Sequence, residues 1–258
     1  DLVNRAVLAA GGPENIVATV ANPTMETSKM MVNHPSVRML VATGGPGVVK
    51  MLLSSGKKAI GAGAGNPPVV VDDTADIKKA AKDIIDGCTF DNNLPCIAEK
   101  ECFVMDNVAD ELIENMQKHG AYLINAAQVK ALEDVVLVTV PPKSPSDSPK
   151  RVINKDWVGR DAKKILAQIG ITVGDDIRCI ICETEFSQAF VQTELMMPIL
   201  AIVRCRTFEE AMDMAVKAEH GNRHSAHLHS KNVDHMTAYA KAICTTIFVK
   251  NAPSYAGI

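Results

Sequence analysis

The sequence has 258 residues, of which 47% are hydrophobic and 22% charged, and its formal net charge is −3. A chain of this length and composition can bury a sizeable core in one large domain or in two smaller ones. The small net charge gives no reason to expect nucleic acid as a partner, and no apolar run reaches the roughly 18 residues that a membrane-spanning helix needs.

Both ends of the sequence suggest a longer protein. It begins at Asp1, without Met, on a helical pattern, and it stops at Ile258 soon after an apolar strand pattern. We therefore expect a fragment, and we find no signal peptide in it. The seven cysteines are an odd number scattered mostly through apolar segments, which is typical of reduced thiols in a cytoplasmic protein.

Helix and strand patterns alternate over residues 1–66. In chain order we predict a helix over 2–10 that stops at Gly11 and Gly12, a strand over 15–20, a helix over 24–33, a strand over 37–42, a short helix to 54 and a strand over 57–60. This alternation predicts a parallel, doubly wound sheet, in which ligands bind beyond the carboxyl ends of the strands. A glycine-rich turn lies at two of these strand ends.

The alternation continues over residues 67–258, so the whole chain is predicted to be an α/β protein. We predict strands over 67–71, 102–105, 177–182, 199–205, 226–229 and 246–249. We predict helices over 74–85, with Thr74 as the N-cap, and over 109–118, 161–169, 208–218 and 233–243, with a helix–strand pair ending at 140. Residues 141–150 are polar and rich in proline, which predicts a mobile surface loop and not a domain linker.

Each glycine turn allows two interpretations. Gly44-Gly45-Pro46-Gly47 lies between a strand and a helix, where backbone N–H groups can hold a phosphate or where glycine supplies the dihedral angles of a tight turn. Gly61-Ala-Gly-Ala-Gly65 lets a ligand approach the backbone or permits close packing. The dinucleotide pattern G-x-G-x-x-G is absent, so the residues alone leave both alternatives open.

Cys96 lies in the polar turn Phe90-Asp-Asn-Asn-Leu-Pro-Cys96, between two segments of regular pattern. Structural cysteines usually lie inside apolar runs, because an un-ionised thiol behaves as a small hydrophobic group. A thiol on a turn can be reached by a substrate, and backbone N–H groups there can stabilise a thiolate and the charge that develops beside it. Cys96 is therefore a candidate nucleophile, with a structural role as the alternative.

Three histidines, His224, His227 and His229, form the pattern H-x-x-H-x-H. On a strand, His227 and His229 share one face and His224 points to the other, which is a poor arrangement for a single metal ion. We therefore predict no metal site and interpret these histidines as exposed or hydrogen-bonded.

Two further motifs have plain structural interpretations. Cys179 and Cys182 are three residues apart on an apolar strand, so they face opposite sides and we predict that both belong to the core. Glu194 enters an apolar strand, where a carboxylate needs a partner or faces a cleft, unless it simply lies on the surface.

Six segments, taken together and in order, resemble one family over the whole chain. They are ATGGPGVV, GAGAGNPPVVVDDTAD, FDNNLPC, TELMMPIL, HGNRHSA and TTIFVKNAPSYAG. Their combination is similar to the CoA-acylating aldehyde dehydrogenases, and most similar to the propionaldehyde and acetaldehyde dehydrogenases of propanediol- and ethanolamine-utilising bacterial microcompartments.

The resemblance implies the aldehyde dehydrogenase fold. Residues 1–66 would be the C-terminal half of a Rossmann-like NAD-binding domain, and residues 67–258 an α/β catalytic domain. The first half of the nucleotide domain and the C-terminal tail are expected to lie outside this sequence. The same holds for the family's oxyanion-hole asparagine and for its lysine that contacts the adenosine ribose.

The resemblance also implies roles for individual residues. Cys96 matches the nucleophile. The implied cofactor-binding residues are Thr43, Gly44 and Gly45 near the phosphates, Gly63, Ala64 and Gly65 beside the nicotinamide, and Glu194 at the nicotinamide ribose.

One departure within the family bears on the reaction. Hydrolytic aldehyde dehydrogenases carry a glutamate that activates water where this chain has Gly61-Ala-Gly-Ala-Gly65. Water is a poor acyl acceptor without a base, whereas a thiol such as CoA is already partly ionised near neutral pH. We therefore expect Cys96 to form a thioester by hydride transfer to NAD+ and to pass the acyl group to CoA, with His224 as a candidate for activating the CoA thiol.

Two alternatives stay open, a hydrolytic aldehyde dehydrogenase and a catalytically vestigial scaffold subunit. The family further implies a short-chain aldehyde substrate, a homo-oligomer (dimer or tetramer) and a bacterial cytoplasmic location, with a microcompartment shell as a possible partner. Neither nucleic acid nor membrane is expected as a partner.

Overall fold

The computed structural model describes residues 1–142 and 149–258. It separates into two compact units, residues 1–63 and 64–258. The middle of the predicted loop over 141–150, residues 143–148, lies outside the described residues. No helix in the described part of the chain is long and apolar enough to cross a membrane.

The first unit is a small β-α-β arrangement preceded by two helices. Its elements are α1 (Leu2–Ala9), α2 (Met25–Asn33), β1 (Met39–Thr43), α3 (Pro46–Leu53) and β2 (Lys58–Ala62). Strands β1 and β2 are parallel, with Met39 opposite Lys58 and Thr43 opposite Ala62. Val32, Leu40 and Leu52 form its buried core. The parallel pairing predicted for this region is confirmed.

Most predicted elements of the first unit are present, but one is wrong. Helix α2 lies where a helix was predicted, and Thr24 caps it by accepting a hydrogen bond from the Thr27 N–H at 3.1 Å. Residues 15–20, predicted as a strand, are irregular. The Asn4 side chain hydrogen-bonds both the N–H and the carbonyl of Val17, so this backbone pairs with a side chain and not with a strand.

The second unit is built on a seven-stranded sheet. Its strands are β3 (Pro68–Val71), β4 (Glu101–Met105), β5 (Ala121–Ile124), β6 (Leu137–Val140), β7 (Lys150–Ile153), β8 (Cys179–Glu183), β9 (Ile199–Cys205), β10 (Ser225–His229) and β11 (Ile247–Lys250). All pairs in the sheet, whose order is β11-β10-β3-β4-β9-β8-β5, are parallel, whereas β6 and β7 form a separate antiparallel pair. The predicted α/β fold class is confirmed.

Helices cover both faces of this sheet. They are α4 (Ile77–Thr89), α5 (Asp106–Lys118), α6 (Ala126–Val136), α7 (Ala162–Ala167), α8 (Ala189–Gln192), α9 (Phe208–Ala218) and α10 (Val233–Ile243). Val69 and Val71 pack into one core with the apolar stripe of α4, while Val70 packs into the other core with α9 and α10. Strands buried on both faces are continuous hydrophobic runs, which is why they were predicted well.

Two local predictions for the second unit need correction, and two strands were missed. Asp76, and not Thr74, caps α4 by accepting from the Lys79 N–H at 3.1 Å, because Thr74 is held by the Asp72 carboxylate. Helix α4 also continues to Thr89. Strand β5 was not predicted, and neither was β7, which is short and mostly exposed.

The direction of the strands decides where the candidate residues of the second unit lie. Gly65, Cys96, Glu194 and His224 each precede a strand, namely β3, β4, β9 and β10. These four strands are neighbours in the sheet. Because the strands are parallel, all four residues lie at the amino ends of the strands, opposite to the carboxyl ends expected for ligands in doubly wound sheets.

Candidate active site

A run of left-handed residues shapes the turn before Cys96. Asp91, Asn92 and Asn93 have φ angles of 47°, 51° and 65°. Residues other than glycine rarely adopt this backbone conformation, and Asn and Asp tolerate it best. The sequence Asp-Asn-Asn therefore suits a sharp reversal between the end of α4 and Cys96.

Side-chain amides fix this turn. The Asn93 side-chain amide donates to the carbonyls of Cys88 at 2.8 Å and Glu99 at 3.0 Å. The Asn92 amide donates to the Gly159 carbonyl and to an Asp161 carboxylate oxygen, both at 3.0 Å. The turn is thus tied to its own flanks and to a separate segment, which orders the backbone that carries Cys96.

Gly65, Cys96 and His224 meet at one point. A Cβ placed on Gly65 would lie 3.1 Å from the Cys96 carbonyl oxygen and 3.2 Å from the Cγ of His224. Both distances are tighter than ordinary packing, so the Gly65 backbone lies directly against both residues. A side chain at position 65 would therefore require the Cys96 backbone or the His224 side chain to shift.

Cys96 itself is half-buried. Its backbone N–H donates to no acceptor among residues 64–142 and 149–258. A half-accessible thiol beside an unpaired amide N–H can add to a carbonyl group, because that N–H is available to the oxyanion that forms.

His224 is placed to act as a base. Its Nδ1 lies 2.8 Å from the Ser225 hydroxyl, and its backbone N–H donates to the Glu219 carboxylate at 3.0 Å. Burial, and then the positive charge of Lys100, lower the pKa of His224 below its usual value. The imidazole is therefore neutral near pH 7 and can accept a proton.

Glu194 is half-buried near Gly65. Burial raises the pKa of its carboxyl group, while the Lys100 charge and the Gly65 backbone N–H act in the opposite direction. A carboxylate of this kind can accept hydrogen bonds from two neighbouring hydroxyl groups, which is the pattern that a ribose presents. Its position fits the cofactor role that the resemblance implies.

Three buried charged residues were missed by sequence reasoning. Glu99, Lys100 and Glu101 are buried, and they lead directly into β4. Burial raises the pKa of Glu99 to about 8, although one of its carboxylate oxygens accepts from the Ser254 N–H at 2.9 Å. Burial also raises the pKa of Glu101 well above its usual value, and its carboxylate has no hydrogen-bond partner in the described part of the chain. The sequence signal that could have revealed their burial is a run of three charged residues leading directly into an apolar strand.

The remaining candidates lie apart from Cys96 in sequence and are described within their own units. In the first unit Thr43 ends β1, and the Gly44 N–H donates to the Ala62 carbonyl at 3.1 Å. Gly45 caps α3, and a Cβ on Gly44, Gly45 or Gly63 would meet nothing within 4 Å. This open backbone at a helix N-terminus fits a phosphate. Ala64 is exposed.

The other histidines and cysteines have structural surroundings. His227 and His229 are buried on β10, and the Nε2 of His227 lies 2.8 Å from the Ile97 carbonyl oxygen. No group of three or more His, Cys, Asp or Glu residues within the described ranges is placed to hold a metal ion. Cys179 and Cys182 are buried in opposite cores, as predicted.

Comparisons with known proteins point to one family. The aldehyde dehydrogenase family profile matches residues 2–256. The chain is 47% identical over 258 residues to the acetaldehyde dehydrogenase (acetylating) EutE of Salmonella typhimurium, and 43% identical over 258 residues to the propanal dehydrogenase (CoA-propanoylating) of the same organism. It covers 54% and 53% of these two relatives, so it spans about half of their length.

Solved structures give the same result. The propionaldehyde dehydrogenase of the Clostridium phytofermentans fucose utilisation bacterial microcompartment matches with a TM-score of 0.92 and 55% identity, over 100% of this chain and 57% of that one. The Rhodopseudomonas palustris propionaldehyde dehydrogenase with bound propionyl-CoA matches with a TM-score of 0.90 and 53% identity, over 99% of this chain and 55% of that one.

Proposed function

We propose that this chain, which belongs to the aldehyde dehydrogenase family, is the catalytic part of a CoA-acylating aldehyde dehydrogenase. The substrates are a short-chain aldehyde, such as propionaldehyde or acetaldehyde, NAD+ and CoA, and the products are acyl-CoA and NADH. The contact of Gly65 with Cys96 and His224 carries the proposal, because it brings the residue with the candidate thiol next to a neutral imidazole. The stretch over residues 61–65, which ends at this contact, has no carboxylate that could activate water.

The reaction begins with Cys96. Its thiolate adds to the aldehyde carbonyl carbon, and the electron pair of the C=O bond moves onto oxygen. The unpaired Cys96 N–H then donates to this oxyanion. As the oxyanion collapses, the aldehyde C–H bond breaks and leaves a thioester on Cys96.

The cofactor supplies the hydride acceptor for this step. In the second unit, Glu194 would hold the ribose hydroxyl groups. In the first unit, Thr43, Gly44 and Gly45 would present backbone groups to a phosphate. Gly63, Ala64 and Gly65 have no side chain larger than a methyl group. The resemblance places this segment beside the nicotinamide, and a planar ring could approach the backbone at Gly63 and Ala64, which are not buried.

Acyl transfer follows on the same carbon. His224 takes the proton of the CoA thiol, the CoA thiolate attacks the thioester carbonyl, and the Cys96 thiolate leaves. The names of the relatives support CoA as the acyl acceptor, since one is described as acetylating and another as CoA-propanoylating.

The proposal is tested in the protein that contains this chain by replacing Cys96 with Ala. Acyl-CoA formation should fall to background, whereas a matched Cys244→Ala variant, at an exposed cysteine, should keep the original rate. Normal acyl-CoA formation by the Cys96 variant would contradict the mechanism. Free acid as the main product of the unmodified protein would indicate a hydrolytic enzyme, and no turnover would indicate a scaffold subunit.

We further propose that the protein is a homo-oligomer of the bacterial cytoplasm that works inside a microcompartment. Support comes from the microcompartment origin of a structural relative. Light scattering gives the subunit number, a dimer or a tetramer being expected. Sedimentation of the protein with purified shells tests the location, and a monomer that stays in the supernatant would contradict both statements.

A further inference from the structure

A buried ammonium group lies beneath the turn that carries Cys96. Lys100 is 3% exposed, and its Nζ donates to the Asn93 carbonyl at 3.0 Å, to the Asn93 side-chain oxygen and to the Pro95 carbonyl at 3.2 Å. These three acceptors use all three N–H bonds of a charged lysine, whereas a neutral amine has only two to give. All three Nζ donors of Lys100 are thus used by Asn93 and Pro95, and Pro95 directly precedes Cys96.

The bond to the Pro95 carbonyl fixes a second group. No described peptide bond is cis. In the trans peptide between Pro95 and Cys96, the Pro95 carbonyl and the Cys96 N–H lie in one plane and point in opposite directions. Because Lys100 draws the carbonyl inward, the Cys96 N–H points outward. This is the same N–H that has no acceptor among residues 64–142 and 149–258.

A neighbouring contact holds the next turn of the backbone. His227 lies 2.8 Å from the Ile97 carbonyl, on the far side of Cys96. The Ala98 N–H also donates to the Pro95 carbonyl, at 3.1 Å. The peptide plane before Cys96 is therefore held from inside the protein by Lys100 and Ala98, with its outer side left open.

The charge of Lys100 also acts on the other site residues. It opposes the rise of the pKa of Glu194 and of Glu101, and it contributes to the low pKa of His224. Burial lowers the pKa of Lys100 itself, and the nearby charge of Glu194 is the largest influence in the opposite direction. A buried cation in this position favours negative charge on the oxyanion and a neutral imidazole.

We propose that Lys100 is a positioning residue that aims the Cys96 backbone N–H at the oxyanion formed during both thioester formation and acyl transfer. This role rests on the proposed function. It differs from a purely structural role because it predicts a loss of rate in a protein that is still folded and still binds its substrates.

The test compares Lys100→Met, which removes the donors and the charge, with Lys100→Arg, which keeps both. For Lys100→Met we expect kcat to fall about 100-fold, the effect of losing one oxyanion donor, with KM for CoA changed by less than about threefold. Lys100→Arg should have a kcat about tenfold higher than that of Lys100→Met. Glu99→Gln, a change at the adjacent buried residue, is the matched control and should keep kcat near pH 7.

A pre-steady-state burst separates this inference from the proposed function. The burst of NADH reports thioester formation before any acyl acceptor enters, so it should slow about 100-fold in Lys100→Met whatever the acceptor is. Free acid from the unmodified protein would overturn CoA transfer but leave the burst comparison valid.

Stability is measured alongside by thermal melting. Where Lys100→Met does not fold, Lys100→Gln, which retains an amide donor, takes its place with an expected loss of about tenfold. A folded variant without the ammonium whose burst rate lies within about threefold of the original would overturn the proposal. So would failure of both variants to fold, since Lys100 would then be a structural residue.

Discussion

Two buried carboxylates at opposite ends of the parallel sheet in the second unit differ in their hydrogen bonding. At the carboxyl ends of β3 and β10, the Asp72 carboxylate accepts four hydrogen bonds, from the Thr74 N–H and hydroxyl, from the Ser230 hydroxyl and from His235. The His235 ring also stacks on Phe208, with ring centroids 3.9 Å apart. Every acceptor direction of this carboxylate is filled.

At the amino ends, the polar groups are left partly unpaired. The Glu101 carboxylate has no hydrogen-bond partner in the described chain, and the Cys96 N–H has none within its unit. Although burial raises the pKa of Asp72, the hydrogen bonds from Ser230, Thr74 and His235 bring it below its usual value, whereas the pKa of Glu101 stays high. A filled network stabilises the fold, while unpaired groups keep their hydrogen bonds available to a ligand.

The largest effect is expected from removing His224, the proposed base at the amino end of the sheet. His224→Ala should lower steady-state acyl-CoA formation about 10²- to 10³-fold, because general-base help to the CoA thiol is lost. The NADH burst should keep its rate, since it precedes CoA attack. Stopped-flow absorbance and product analysis measure the two steps.

His220 supplies the control for this change. It is exposed, and its Nε2 lies 3.1 Å from the Gln192 carbonyl oxygen. His220→Ala should leave both rates unchanged. Equal losses in the two variants would show that His224 acts through the fold and not on the thiol.

A smaller effect, on stability, is expected at Glu99. Its pKa is raised from 4.5 to about 8, so the folded state binds the proton more tightly than the unfolded state. The contribution of Glu99 protonation to the free energy of unfolding is fully present below pH 4.5. It decreases as the pH rises and is lost above about pH 8. Glu99→Gln should remove this loss, on the order of 4 kcal/mol by pH 8.

Denaturant melts of both proteins between pH 5 and pH 9 measure this effect. The variant should be the more stable at the alkaline end and equal to the original protein at the acidic end. Parallel stability curves would mean that Glu99 ionises normally in the folded protein.

The smallest effect is expected at the carboxyl ends. Asp72→Asn places an amide NH2 group, itself a donor, where two hydrogen-bond donors point. This should lower the free energy of unfolding by about 2 kcal/mol and Tm by about 5 °C. The variant should also lose less stability than the original protein below pH 3.8, where Asp72 takes up its proton. Its kcat should not change, and a loss of kcat without a fall in Tm would remove the distinction between the two ends.

The sequence predicted those parts of the fold whose signal is local. The buried strands are continuous apolar runs, and the amphipathic stripe of α4 has clear helical spacing. The strand predicted over 15–20 had a suitable composition but no partner strand, because the Asn4 side chain takes its hydrogen bonds. A strand requires a partner, and the composition of one segment cannot supply it.

The candidate site was predictable in a similar, partial way. Cys96 is marked by its polar turn, the family resemblance supplied Glu194, and the need to activate the CoA thiol suggested His224. These roles stay predictions. Lys100 was missed because a charge run usually lies on the surface. Its burial depends on the turn at Asn93 and on β4 entering the middle of the sheet.

The strand order also determines when the site can assemble during synthesis. Strand β3, near the start of the second unit, pairs with β10, which follows roughly 150 residues later. At translation rates of about 5–20 residues per second, Cys96 leaves the ribosome on the order of ten seconds before His224. Through that interval β3 has no neighbour on one side, and the thiol is open to oxidation without its final surroundings.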